Sequence, residues 1–140
     1  MKSQDKPALG VRLWPPAYVV ARLRRMPAAL PRLDPEDAPI ALVVGHGEVS
    51  LIAPESVMEG FAEGAETVST GWRALTLETV FPLDTVGVLA AVSRALAEIG
   101  IPVMAFSSHD TDHFLVPAES LGRALAALAS ADLDRFVPHE

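Results

Sequence analysis

Ser107, Ser108, His109, Asp110, Thr111, Asp112 and His113 stand in one unbroken run, the densest group of chemically capable side chains in the sequence. Hydroxyls donate and accept hydrogen bonds, a carboxylate accepts from an ammonium or guanidinium, and an imidazole holds a metal or moves a proton. Three kinds of chemistry therefore need weighing: metal ligation, nucleophilic catalysis and recognition of a small polar molecule. Metal ligation is disfavoured because neighbouring strand residues point to opposite faces, so Asp112 and His113 do not converge. A triad of Ser107, His109 and Asp112 is disfavoured because residues this close in sequence do not readily approach from converging directions. No nucleophile elbow, phosphate loop or helical histidine pair occurs elsewhere. The expectation is a protein that is not an enzyme and carries neither a metal nor another cofactor. Recognition remains.

The elements around this run must position it. Ile101 to Phe106 and Phe114 to Val116 are apolar runs of strand length on either side, which predicts a β-hairpin with the polar cluster at its turn. Upstream, Leu75 and Leu77 alternate with Ala74, Thr76 and Glu78 as in a half-buried strand. Val88, Leu89, Val92, Ala95, Leu96 and Ile99 then recur at helical spacing. Asp84 or Thr85 is expected to cap this helix, and Gly100 to end it. Pro117 opens a second helix through Leu121, Ala124, Leu125 and Leu128. The order is β-α-β-β-α, with a last strand either at Leu133 to Val137 or supplied from elsewhere. Asp132 and Asp134 make that tail a poor central strand, which favours exchange of an edge.

The first half is read as strands with stunted helices. Leu9 to Leu13 and Tyr18 to Leu23 are expected as two short strands broken at Trp14-Pro15-Pro16. Residues 24 to 39 read as a weakly specified connection, with room for one helical turn near Ala28 to Leu30. Arg22, Arg24 and Arg25 beside it are expected on a solvated edge. Ile40 to Val44 and Glu48 to Ile52 flank Gly45-His46-Gly47, a second hairpin with an exposed histidine at its tip. A short helix from Pro54 to Met58 and a short strand from Ala65 to Ser69 complete this half. The two halves share an order of strand, hairpin and proline-led helix, a loose repeat of about 65 residues.

The chain has 140 residues, half of them apolar, enough for one ordinary domain or two very small ones. Its net charge of −7, from 18 acidic and 11 basic residues, disfavours attraction to nucleic acid or to an anionic membrane. The absence of cysteine excludes disulfides, thiolate metal sites and cysteine nucleophiles. Residues 1 to 6 lack the apolar core of a secretory signal, and no apolar run reaches membrane-spanning length. A soluble, cytoplasmic protein is the expectation.

With these residues laid out, the second half resembles the ACT domain family, whose modules have the order β-α-β-β-α-β. Leu83-Asp84-Thr85-Val86-Gly87-Val88-Leu89-Ala90-Ala91-Val92 is similar to the family's strand-to-helix motif, with a glycine where the first helix begins. Ile101 to Ser108 followed by Asp110-Thr111-Asp112-His113-Phe114-Leu115-Val116-Pro117 is similar to the branch containing the CASTOR arginine sensors, small bacterial tandem-ACT proteins and the regulatory region of aspartokinases. The detailed resemblance covers about 60 residues. It implies an α+β fold of two ferredoxin-like (βαββαβ) ACT modules with antiparallel sheets and helices on one face: a degenerate module at residues 1–70 and an ACT domain at residues 71–140. It further implies a regulatory protein, as a homodimer, holding a small molecule, usually an amino acid, where modules meet.

The ligand-binding residues implied are Asp84, Thr85, Val86, Gly87, Ser107, Ser108, His109, Asp110 and Asp112. The residues themselves agree. Gly87 lets a ligand approach the helix start, whose partial positive charge suits a carboxylate. Ser107 and Ser108 offer hydroxyls, and Asp112 accepts from a cation. Against this, Gly87 can serve only close packing, and the serines and aspartates can serve only the turn. His109 stands where the related sensors carry other residues, often aromatic, so ligand identity does not transfer. Two alternatives stay open: a ligand-free scaffold that pairs through an exposed strand edge, and a cryptic enzyme using Asp112 and His109.

Overall fold

The structure is a computed structural model that describes residues 8–61 and 64–139. The reading of residues 1 to 6 as lacking a signal core lies outside the described residues. By its internal contacts the chain divides into two units, residues 14–73 and residues 1–13 with 74–140. The architecture is mixed α/β, rich in antiparallel strand pairs and poor in helices. Two strands of 14 residues, β1 (Gly10–Leu23) and β4 (Ala65–Glu78), contribute residues to both units.

In the unit of residues 14–73, β2 (Ala41–Gly45) and β3 (Glu48–Pro54) form the expected hairpin, and the strand order is β2-β3-β1-β4. His46 and Gly47 take left-handed φ angles of 53° and 76° at its tip, the geometry a two-residue hairpin turn demands. Val44 faces Val49, and β3 in turn pairs with β1 from Tyr18↔Pro54 to Arg22↔Ser50. Ala21, Leu23, Leu51, Ala53 and Phe61 form the buried cluster, and α1 (Glu55–Met58) is a single turn. The arginine edge is as expected for Arg22, which meets Glu66 at 3.4 Å and donates to the Gly47 carbonyl.

Three expectations fail here. β1 does not break at Pro15 and Pro16. A proline costs a strand only where its N–H is needed, and both precede the ladder with β3, which starts at Tyr18. Residues 65 to 69 and 73 to 78 are one strand, because Gly71 absorbs the irregularity at φ 80° without ending β4. No helical turn forms at Ala28 to Leu30. That connection is fastened instead at its far end, where the buried Tyr18 hydroxyl donates to the Pro39 carbonyl at 2.5 Å. Burial there pushes the phenol pKa well up.

The other unit orders its strands β1-β4-β6-β5, using Gly10–Leu13 of β1, the end of β4, β5 (Met104–Ser107) and β6 (Asp112–Pro117). The predicted hairpin is present, with Met104 opposite Leu115 and Ser107 opposite Asp112. α2 (Val88–Ala97) lays Val88, Val92 and Leu96 against Leu75, Leu77, Phe114 and Val116. α3 (Leu121–Ala129) adds Ala124 and Leu128 to the same cluster, so both helices cover one sheet face. Each fully buried side chain of this kind contributes about 1.5–3 kcal/mol.

The apolar stripe on α2 is narrower than expected, for Leu89 and Ile99 stand 47% and 37% exposed. Gly100 ends the helix at φ 71°, with Ile101 N bonded back to the Leu96 carbonyl at 3.0 Å. Pro117 closes β6 and a 3₁₀ turn, Ala118–Ser120, intervenes before α3. The tail is not a strand: Leu133–Phe136 is a 3₁₀ turn. The place beside β4 is taken by the start of β1, and Asp134 Oδ1 accepts from Leu9 N at 2.7 Å to hold it. No helix among the described residues is long and apolar enough to cross a membrane.

Candidate ligand-binding site

The loop that delivers α2 is shaped by Pro82. Its carbonyl accepts from Thr85 N at 3.0 Å and from Thr85 Oγ1 at 2.7 Å, so Thr85 spends its hydroxyl on the turn and does not cap the helix. Asp84 does not cap it either. Gly87 occupies the cap position at φ 100°, and its carbonyl takes the first helical bond, from Ala91 N at 2.9 Å. No side chain caps this end. The opening amides of α2 therefore carry their partial positive charge without an internal acceptor side chain.

Opposite stands the turn between β5 and β6. Ser108 N donates to Thr111 O at 2.9 Å, and Ser108 Oγ lies 3.3 Å from the same carbonyl. Thr111 Oγ1 donates to Leu77 O at 2.7 Å, and Phe81 N donates to Asp110 O at 2.8 Å. The turn is thus tied to the end of β4 and to the loop that follows it. Across the hairpin, Ser107 Oγ donates to Asp112 Oδ1 at 2.5 Å. His109 Nδ1 and Asp110 Oδ1 are 2.8 Å apart, on side chains 84% and 59% exposed.

Behind the turn, His113 is buried with both ring nitrogens engaged. Nδ1 lies 2.8 Å from Thr76 Oγ1 and Nε2 lies 2.9 Å from Ser108 Oγ. Burial lowers its pKa below the ordinary histidine value, and the Asp112 carboxylate opposes that shift. Among the described residues no group of three or more histidine, cysteine, aspartate or glutamate side chains is placed to hold a metal.

Between the two walls lies a surface cleft of about 510 Å³. Gly87, Val88, Leu89 and Ala90 line one side, Ser108 to Asp112 the other, and Phe81, Pro82, Leu83 and Thr85 complete it. The structure therefore brings together Thr85, Gly87, Ser108, His109, Asp110 and Asp112 of the residues singled out from sequence. Asp84, Val86 and Ser107 do not line it: Val86 is 87% exposed, and the Ser107 hydroxyl is spent on Asp112. Sequence reasoning missed Phe81, Pro82, Leu83 and Thr111, and it read Val88, Leu89 and Ala90 only as helix, not as lining. The run Val80-Phe81-Pro82-Leu83 was the available signal, an apolar, proline-bearing link between a strand and a helix. The lining is chemically polarised, with helix-start amides that no side chain caps at one side, two carboxylates at the other and, among the described residues, no lysine or arginine.

Residues 67–130, which hold both walls of this cleft, match the ACT domain family. They form an ACT domain. The match begins within β4 and ends just past α3, leaving the Gly10–Leu13 strand outside it. The ACT domain and the rest of the chain are similar in structure to a protein from Agobacterium tumefaciens, with a TM-score of 0.70 at 22% identity over 89% of this chain and 90% of that one. A Vibrio cholerae protein of unknown function, described as a possible transport protein, is similar at a TM-score of 0.65 and 25% identity over 84% and 85% of the two chains. The ligand-free regulatory subunit of aspartate kinase from Thermus thermophilus shares the fold, with a TM-score of 0.60 at 19% identity over 89% and 99%. No curated protein matches the sequence.

Proposed function

We propose that this protein is a regulatory sensor that binds a free amino acid in the cleft of its ACT domain, without catalysing a reaction. The observation that carries this is the polarity of the cleft. Uncapped amides at the start of α2 suit a carboxylate, and Asp110 and Asp112 on the opposite wall suit an ammonium or guanidinium. A zwitterion is the smallest common molecule that meets both. The regulatory subunit of aspartate kinase, to which nearly the whole chain is similar, supports the same reading. In this reading residues 1–70 descend from a degenerate ACT module, the protein works in the cytoplasm as a homodimer, and ligand shifts a conformational equilibrium by its difference in affinity between two states.

Thermal-shift and calorimetric titration with each standard amino acid tests it. A ligand at a hundred times its Kd stabilises the protein by about 2.7 kcal/mol, a clear rise in Tm. Folded protein that responds to none of them overturns the proposal. A second reading has its own observation: Leu83 and Val86, 76% and 87% exposed, form an apolar rim beside the cleft. A ligand-free scaffold would use such a rim for association. Sedimentation that shows self-association indifferent to every amino acid favours it.

A further inference from the structure

His113 is not part of the cleft lining, yet it is joined to it twice. Its ring bridges β4 to the first residue of the β5–β6 turn, through Thr76 Oγ1 at 2.8 Å and Ser108 Oγ at 2.9 Å. Its chain neighbour Asp112 lines the cleft. Because strand side chains alternate, Asp112 and His113 address opposite faces of the same sheet. The residue is 8% exposed, so an added proton has little access to water.

A neutral imidazole has one N–H and one lone pair, so one of its two hydroxyl partners receives while the other donates. Serine and threonine serve either role, and the neutral ring is satisfied in both tautomers. A charged ring has two N–H groups and obliges both hydroxyls to receive. If Ser108 is the partner that reverses, the acceptor within its reach in the turn is Thr111 O, 3.3 Å away, which already accepts Ser108 N. In that case charging the ring acts on the carbonyl that closes the turn.

The second consequence is electrostatic. Asp112 is the charged group whose field reaches His113. Thr76 from β4, Ser108 from the turn, and Phe106 from β5, whose ring centroid is 4.9 Å away, meet the ring and carry no charge. A cation bound in the cleft at Asp112 weakens the attraction that would stabilise a proton on His113. By reciprocity, a proton on His113 weakens the binding of that cation.

We propose that His113 is a positioning residue for the cleft: neutral, it holds Ser108 and the turn in place, and charged, it competes with a ligand's cationic group for Asp112. The ligand half of this rests on the amino-acid reading above, whereas the turn half does not.

The test has an arm for each half. In the free protein, an NMR pH titration follows the His113 ring and the backbone amides of Ser108 and Thr111. Both amides are expected to move with the midpoint of the ring. Thr76→Val is expected to displace that midpoint, and Thr76→Ser to restore it. A ring that titrates without moving either amide overturns the proposal whether or not any ligand exists. In the second arm, each standard amino acid that binds is titrated near pH 7.5 and again at a pH below the His113 midpoint read in the first arm, so that the ring is neutral in one and charged in the other. Affinity is expected to fall about fivefold in the wild type, a modest coupling, and to hold in His113→Gln. An equal loss in both proteins overturns the competition with Asp112. If no amino acid binds, the functional reading fails while the first arm still decides the positioning role.

Discussion

A Cβ placed on Gly87 would stand 3.4 Å from Cε1 of Phe136, so the first residue of the α2 approach is backed by the ring of the C-terminal 3₁₀ turn. That ring is itself covered by the Arg135 guanidinium, 4.4 Å from its centroid. The space is tight but passable. The backbone is the harder obstacle, because φ 100° is a conformation side-chain-bearing residues resist. From sequence alone, Gly87→Val is expected to block ligand approach and spare the fold. The structure changes that expectation: Gly87→Ala costs about 1–3 kcal/mol through backbone strain, and Gly87→Val costs more. Chemical denaturation of both variants, measured before any binding assay, checks this.

Stability should fall on the acid side of the histidine range. Above the unfolded-state pKa of His113, both states are neutral and the group contributes no pH dependence. As pH falls below about 6.5 the unfolded chain takes up a proton that the buried ring resists, so folding is disfavoured progressively down to the lowered folded pKa. Thermal melts across this window in the wild type and in His113→Gln are expected to show a smaller acid loss in the variant.

Two residues separate core from site. Phe114 is fully buried among Leu75, Leu77 and Val92, so Phe114→Ala is expected to cost about 3–5 kcal/mol. Leu89 is 47% exposed and lines the cleft, so Leu89→Ala is expected to change stability by less than about 1 kcal/mol while altering ligand affinity. Urea titration of each, paired with calorimetry, distinguishes the two roles.

The acidic wall gives a control within one residue type. Asp112→Asn and Asp110→Asn remove charge from the cleft, and each is expected to weaken binding of a cation-bearing ligand about tenfold. Asp84→Asn, outside the lining, is expected to bind normally. Calorimetry on the three variants is the measurement. A loss of affinity in Asp84→Asn equal to that in Asp112→Asn would place the site elsewhere.

Local signals were the legible ones. Gly45-His46-Gly47 announced its hairpin because few residues tolerate the turn's φ angles, and Gly100 announced the end of α2 for the same reason. The run from Ser107 to His113 was readable as a turn because apolar residues flank it on both sides. What escaped depends on partners far away in sequence. Thr76 and His113 are 37 residues apart, and nothing near either one reports the other. Pro15 and Pro16 look like a break until the β3 ladder is seen to start after them. Phe81, Pro82 and Leu83 face the cleft because Phe81 N is drawn to the Asp110 carbonyl, a bond no periodicity foretells.

Gly10–Leu13 belongs with residues 74–140, and this bears on how the protein can be dissected. Severing the chain at residue 70 does not liberate a self-sufficient half. Such a fragment leaves the outer margin of β4 raw and strips Leu9 and Val11 from the apolar layer they cover. It is expected to clump when expressed by itself and to recover when a peptide carrying the missing amino-terminal stretch is added back.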